Sequence, residues 1–81
     1  MSSIIEGMRI DVAKRENTEK EIEKEQKIIT SAESKKKDWE DRAERTYDDS
    51  LKEQYLHNAQ SYESTIRSAR AQIENLNKDL D

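Results

Sequence analysis

The stretch that decides the fold is Tyr55–Leu80, YLHNAQSYESTIRSARAQIENLNKDL. Tyr55, Ala59, Tyr62, Ile66, Ala69, Ile73, Leu76 and Leu80 fall at intervals of 4, 3, 4, 3, 4, 3 and 4, an unbroken heptad line along one side of an α-helix. Such a line needs a partner helix to cover it. Ala59 and Ala69 let a neighbouring backbone come close, while Tyr62 and Ile66 fill the space between them. Charge thins out here as well: from Gln54 onward about a quarter of the positions are charged, against about half of those before it, as expected of an arm that carries more of the packed surface.

Working outward, composition bounds what the partner helix is. With 81 residues there is room for one domain, and so short a chain buries only a modest share of its surface unless it packs against another copy or another protein. Leu, Ile, Val and Phe make up less than a fifth of the chain, little enough to raise disorder as the competing reading. Against disorder, Ala, Glu, Lys, Leu and Arg make up nearly half of it, and 15 bases nearly balance 19 acids. The charges are also ordered along the chain. Nine pairs place an acid four residues before a base, Asp11–Arg15 and Glu74–Lys78 being the first and last, whereas five run the other way. The acid-first orientation supports a helix, at roughly 0.2–0.5 kcal/mol per pair.

The first arm is weaker. Its heptad register runs Met1, Ile5, Met8, Val12, Arg15, Glu19, Ile22, Gln26, Ile29, Glu33, Lys36, with six of eleven positions apolar, and between Ala13 and Ile28 the sole apolar residue is Ile22. That section reads as loosely packed or solvent-facing. Ser3-Ile4-Ile5-Glu6 has the form of a capping box, although Gly7 weakens the turn that follows. Met8, Ile10 and Val12 also alternate with Arg9 and Asp11, which keeps a short strand open as a lesser alternative.

Where the chain reverses is the remaining question, and there is no proline and a single glycine to mark it. Trp39, Ala43, Tyr47, Leu51, Tyr55 and Ala59 recur every four residues. On a helix of 3.6 residues per turn each such step drifts about 40°, so five steps carry the stripe roughly 200° around. Either the chain bends here or the stripe wraps onto two neighbours. The preferred bend lies at 38–41, with Asp38 as N-cap, because arms of 3–37 and 42–80 are nearly equal and bury most seam; Trp39, Asp41, Ala43 and Tyr47 then form the bend, with the indole wedged between the arms. A bend at Asp48-Asp49, with Ser50-Leu51-Lys52-Glu53 as capping box, leaves about fifteen residues of the first arm unpaired. One continuous helix is the third alternative. The expected architecture is a single all-α domain, an antiparallel helical hairpin with coiled-coil-like packing that dimerises into a four-helix bundle.

Trp39-Glu40-Asp41-Arg42-Ala43, followed by Tyr47, resembles the Trp-x-Gly turn of the small helical-hairpin proteins exported by type VII secretion systems, which carry an Ala four and an aromatic eight residues after the Trp. Asp41 stands where that family has its turn glycine, and no tyrosine follows Tyr62 to supply its C-terminal export signal. The resemblance implies an antiparallel hairpin that forms homodimers or heterodimers and acts as a secretion partner, exported without a cleaved signal peptide.

Chemistry is easily bounded. Without cysteine, with a single histidine and with carboxylates spread evenly, the sequence offers neither a nucleophile–base pair nor a metal-ligand cluster, so no enzyme, cofactor, metal or small-molecule substrate is expected. His57, between Leu56 and Asn58, reads as a plain surface histidine. The one basic run, Lys35-Lys36-Lys37, is neutralised at once by Asp38, Glu40 and Asp41, which argues against direct nucleic-acid binding, and interleaved bases argue against a DNA mimic. The longest apolar run is two residues, so no membrane span or Sec-type leader is expected, and the default compartment is the cytoplasm.

What is left is contact. The first expectation is an interaction module, an adaptor that pairs with itself or with a helical segment of another protein through the seam of Tyr55 to Leu80. The alternative is a small acidic inhibitor, of the kind phages and mobile elements encode, that blocks a host enzyme or defence complex through Glu19, Glu21, Glu23 and Glu25 of its first arm.

Overall fold

A computed structural model of the chain describes the backbone of residues 2–80 and the side chains of residues 11–80. Two helices, α1 (Ser2–Arg45) and α2 (Asp49–Leu80), pack antiparallel into a hairpin with no strand among the described residues. The molecule is a rod of 72 × 14 × 13 Å with a radius of gyration of 19.9 Å. A compact chain of this length would have about 12 Å.

The eight seam positions of α2 all face inward. Ala59, Ile66, Ala69 and Leu76 are buried, and Tyr55, Tyr62, Ile73 and Leu80 are half-buried. The helix that covers them is α1 of the same chain. Its buried and half-buried line runs Thr18, Ile22, Glu25, Ile29, Ala32, Lys36, Trp39, Ala43 and Thr46, again at alternating steps of 4 and 3, with Ile28 beside it. This corrects the expected register. Ile22, Ile29 and Lys36 are kept, but between them the line passes through Glu25 and Ala32 instead of the exposed Gln26 and Glu33. Ala32 decides the matter, because a small residue there meets the close approach that Ala59 and Ala69 allow on α2. Among the described residues four of the six buried ones are alanines, with Ile66 and Leu76 the other two, so small side chains make up much of the helix contact and allow a close approach.

The turn is also corrected. It occupies residues 46–48, not 38–41, and Asp38, Trp39 and Asp41 lie inside α1. Asp48 is the N-cap of α2: its Oδ1 accepts from the backbone N–H of Ser50 at 2.9 Å and of Leu51 at 3.2 Å, while the Thr46 hydroxyl accepts from the Asp48 N–H at 3.2 Å. The cap therefore sits two residues before the expected Ser50. Arg42 and Arg45 in the last turn of α1 complement its carbonyl end. The chain reverses without any residue at positive φ, which is why no glycine marks the spot.

The arms are unequal as a result, 44 residues against 32, about 66 Å and 48 Å of helix. Arg15 Nη2 reaches the carbonyl oxygen of Leu80 at 3.4 Å, and α1 runs on past that point. Val12, expected in the seam, is 57% exposed, at the open end of the hairpin where it borders a hollow with Arg15, Asp79 and Leu80. Helix α1 includes residues 8–12, so the short strand is not formed; the side chains of Met1, Ser3, Ile5 and Met8 lie outside the described residues.

Candidate functional site

Trp39 sits two helical turns before the reversal. Its ring lies 5.7 Å from that of Tyr55 at an interplanar angle of 35°, and the Arg42 guanidinium stands 4.7 Å from its centroid. The indole thus locks the closed end of the hairpin across the two helices. Ala43 continues the contact, buried to 1% exposure. Tyr47, in contrast, projects from the turn fully exposed, and Leu51 is 39% exposed, so the four-residue stripe from Trp39 to Ala59 is split between two helices and interrupted where they join.

The two long flanks of the rod differ in charge. Along one, side chains latch the helices together. Arg70 Nη2 reaches Glu33 Oε1 at 3.1 Å, and Lys36 Nζ meets Glu63 Oε1 directly while lying 3.8 Å from Glu40. The Lys36 hydrogen bond and charge hold the Glu63 carboxyl below the usual carboxylate range, and Glu63 in turn raises Lys36. Along the other flank lies an open groove floored by Ile28, Ala32 and Tyr62. Helical spacing puts Lys20, Lys24, Lys27 and Lys35 on the α1 side of that groove, away from Glu33 and Lys36.

Most of the charge pairs that the sequence pattern offers are not made. Among the described residues, Glu23–Lys27 at 4.0 Å is the only acid-first pair within contact distance, both side chains being largely exposed. Long side chains in water gain little from holding one geometry, so these residues support helicity by their average field and leave the surface chargeable. Of the proposed inhibitor residues, Glu19, Glu21 and Glu23 are exposed while Glu25 is half-buried in the helix contact. His57 is exposed and belongs to a shallow hollow with Ser50, Glu53, Gln54 and Asn58.

No group of three or more His, Cys, Asp or Glu side chains is placed to hold a metal ion, and no helix is long and apolar enough to cross a membrane, among the described residues. Comparison with protein-family models, with curated proteins and with solved structures gives no match. What the site can do is therefore read from its surface. A residue-level signal for the lysine flank was present in the sequence, since Lys20, Lys24, Lys27 and Lys35 share a helical face, but counting charges in runs hides it.

Proposed function

We propose that the protein is a non-enzymatic interaction module, a stiff helical adaptor that associates with a second copy or with a helical segment of another protein. The observation that supports this most is the ratio of surface to mass. The chain exposes 6781 Å². A compact monomer of the same mass would expose about 5,000 Å². The difference exceeds the roughly 800 Å² that each partner contributes to a standard interface. The half-buried Ile22, Ile29 and Ile73 lie along the edge of the seam, where a further helix would complete their burial.

Ile66 is not the residue with which to test association, because α1 of the same chain already covers it. Ile29→Glu with Ile73→Glu alters the edge instead. Sedimentation equilibrium of the full chain is expected to give a mass above that of one chain for the natural sequence and the mass of one chain for the double variant, with helicity retained in both. A natural chain that stays monomeric up to about millimolar concentration and takes up no helical partner from its source cells would refute the reading. A partner encoded beside it, whether a larger exported protein or the target of a mobile-element inhibitor, would distinguish the secretion and inhibitor versions of the adaptor.

A further inference from the structure

The groove between the helices carries an uneven charge arrangement. It encloses about 490 Å³, open along its length. Its floor of Ile28, Ala32 and Tyr62 is apolar, and its rim on α1 is Lys20, Lys24, Lys27 and Lys35 with a single acid, Glu23, among them. Lys27 has Glu23 beside it at 4.0 Å; Lys20, Lys24 and Lys35 make no ion pair within 4.0 Å among the described residues. The facing flank of α2 does not supply the missing acid. Gln54, Asn58, Ser61, Thr65, Ser68, Gln72 and Asn75 follow one another at steps of 4, 3, 4, 3, 4 and 3, every one a neutral hydrogen-bonding residue in a chain that is 42% charged. Four ammonium groups thus rim an apolar trough whose other wall is uncharged, in a protein of net charge −4.

We propose that this groove is the docking site of an acidic amphipathic helix from another protein. The proposal rests on the interaction-module reading above and adds the chemistry of the partner. From Lys20 to Lys35 is 15 residues of α-helix, about 22 Å, so the occupant is a helix of about four turns. Its aliphatic stripe covers Ile28, Ala32 and the ring of Tyr62; carboxylates spaced at i, i+4 and i+7 beside that stripe meet Lys20, Lys24 and Lys27, and the neutral wall of α2 accepts polar side chains without repelling them. A second copy does not fit here. Two-fold pairing sets the same patch against itself and would bring eight ammonium groups together over one trough. Nucleic acid fits less well than a helix, because a phosphate chain gains nothing from the apolar floor and meets Glu19, Glu21 and Glu23 between the lysines.

The test uses the full chain and three fluorescent probes: a helical peptide of about four turns with a leucine stripe flanked by glutamates, the same peptide with lysine for glutamate, and a short DNA duplex. Fluorescence anisotropy is expected to show the glutamate peptide binding at least tenfold more tightly than the other two, and losing affinity as salt is raised. Lys20→Glu with Lys24→Glu and Lys35→Glu, checked for unchanged helicity, is expected to weaken the glutamate peptide tenfold or more and to favour the lysine peptide. Equal binding of the two peptides, tighter binding of DNA, or an unchanged preference in the triple variant would overturn the proposal. Sedimentation of the same triple variant keeps the two readings apart, because loss of self-association is read from the mass and loss of docking from the anisotropy.

Discussion

Replacing Ala69 by leucine is expected to destabilise the hairpin, and the sign of that effect discriminates between two pictures of its core. Ala69 is 3% exposed and belongs to the set of buried alanines that lets α1 and α2 approach. If there were slack at this level, three added carbons would find apolar surroundings and stabilise the protein by about 2 kcal/mol, at about 0.8 kcal/mol per buried CH₂. If the backbones are in contact, the same carbons force the helices apart over at least a turn on either side and cost about 1–3 kcal/mol. Helix propensity does not confuse the result, since leucine is close to alanine on that scale. Exposed Ala71, two residues on and facing solvent, is the control: Ala71→Leu should stay within about 0.5 kcal/mol of the natural chain. Urea unfolding followed by circular dichroism at fixed chain concentration reads both. For a domain of this size, with a slope near 1 kcal/mol per molar urea, the expected cost lowers the midpoint by about 1–3 M. A raised midpoint for Ala69→Leu, or equal midpoints for the two variants, would show that the alanine contact does not set the helix spacing.

Further outcomes follow from the turn, the latch and the tryptophan. Asp48→Ala removes the acceptor of two backbone N–H groups and should cost about 1 kcal/mol in urea unfolding, whereas Ser50→Ala, where the sequence pattern predicts a capping box, should be near neutral. The Lys36–Glu63 pair gives a definite sign with pH. Because the folded Glu63 carboxyl is held down, its contribution is present above the ordinary glutamate pKa and is lost on acidification below about pH 4. Lys36, held up, keeps its contribution below the ordinary lysine pKa and loses it only as pH rises beyond about 10. Thermal melts between pH 3 and pH 7 should therefore fall more steeply for the natural chain than for Glu63→Gln. Tyr47→Ala should leave the melting temperature unchanged, the ring being wholly in solvent, while Trp39→Ala should lower it, with the emission of Trp39 in the natural chain responding to Arg42→Ala through the lost cation above the ring.

The seam from Tyr55 to Leu80 is legible in the sequence because a 4–3 repeat is a local property, and any helix that forms there presents those eight residues on one side. The same is true of helicity itself, written in balanced charge and strong helix formers, and of the need for an opposing helix. The register of α1 and the site of the turn are not local. Ile22, Ile29 and Lys36 fit two lines equally well, and only the requirement that a small residue face the alanines of α2 selects the one through Ala32 and Ala43. The arms are unequal because the reversal falls at the cap: Asp48 satisfies two N–H groups at the start of α2, while Trp39 and Ala43 lie inside α1, Trp39 against Tyr55. Charge is non-local in the same way. In the chain the lysines at 20, 24 and 27 stand among glutamates and look neutralised, but in the folded hairpin four lysines and one acid, Glu23, line the groove opposite an uncharged wall. The amino-acid pattern settled that the chain is helical and carries one apolar line that needs an opposing helix; where it reverses, which residues of α1 close on that line, and which charges are left together on one flank depend on how the two helices pack.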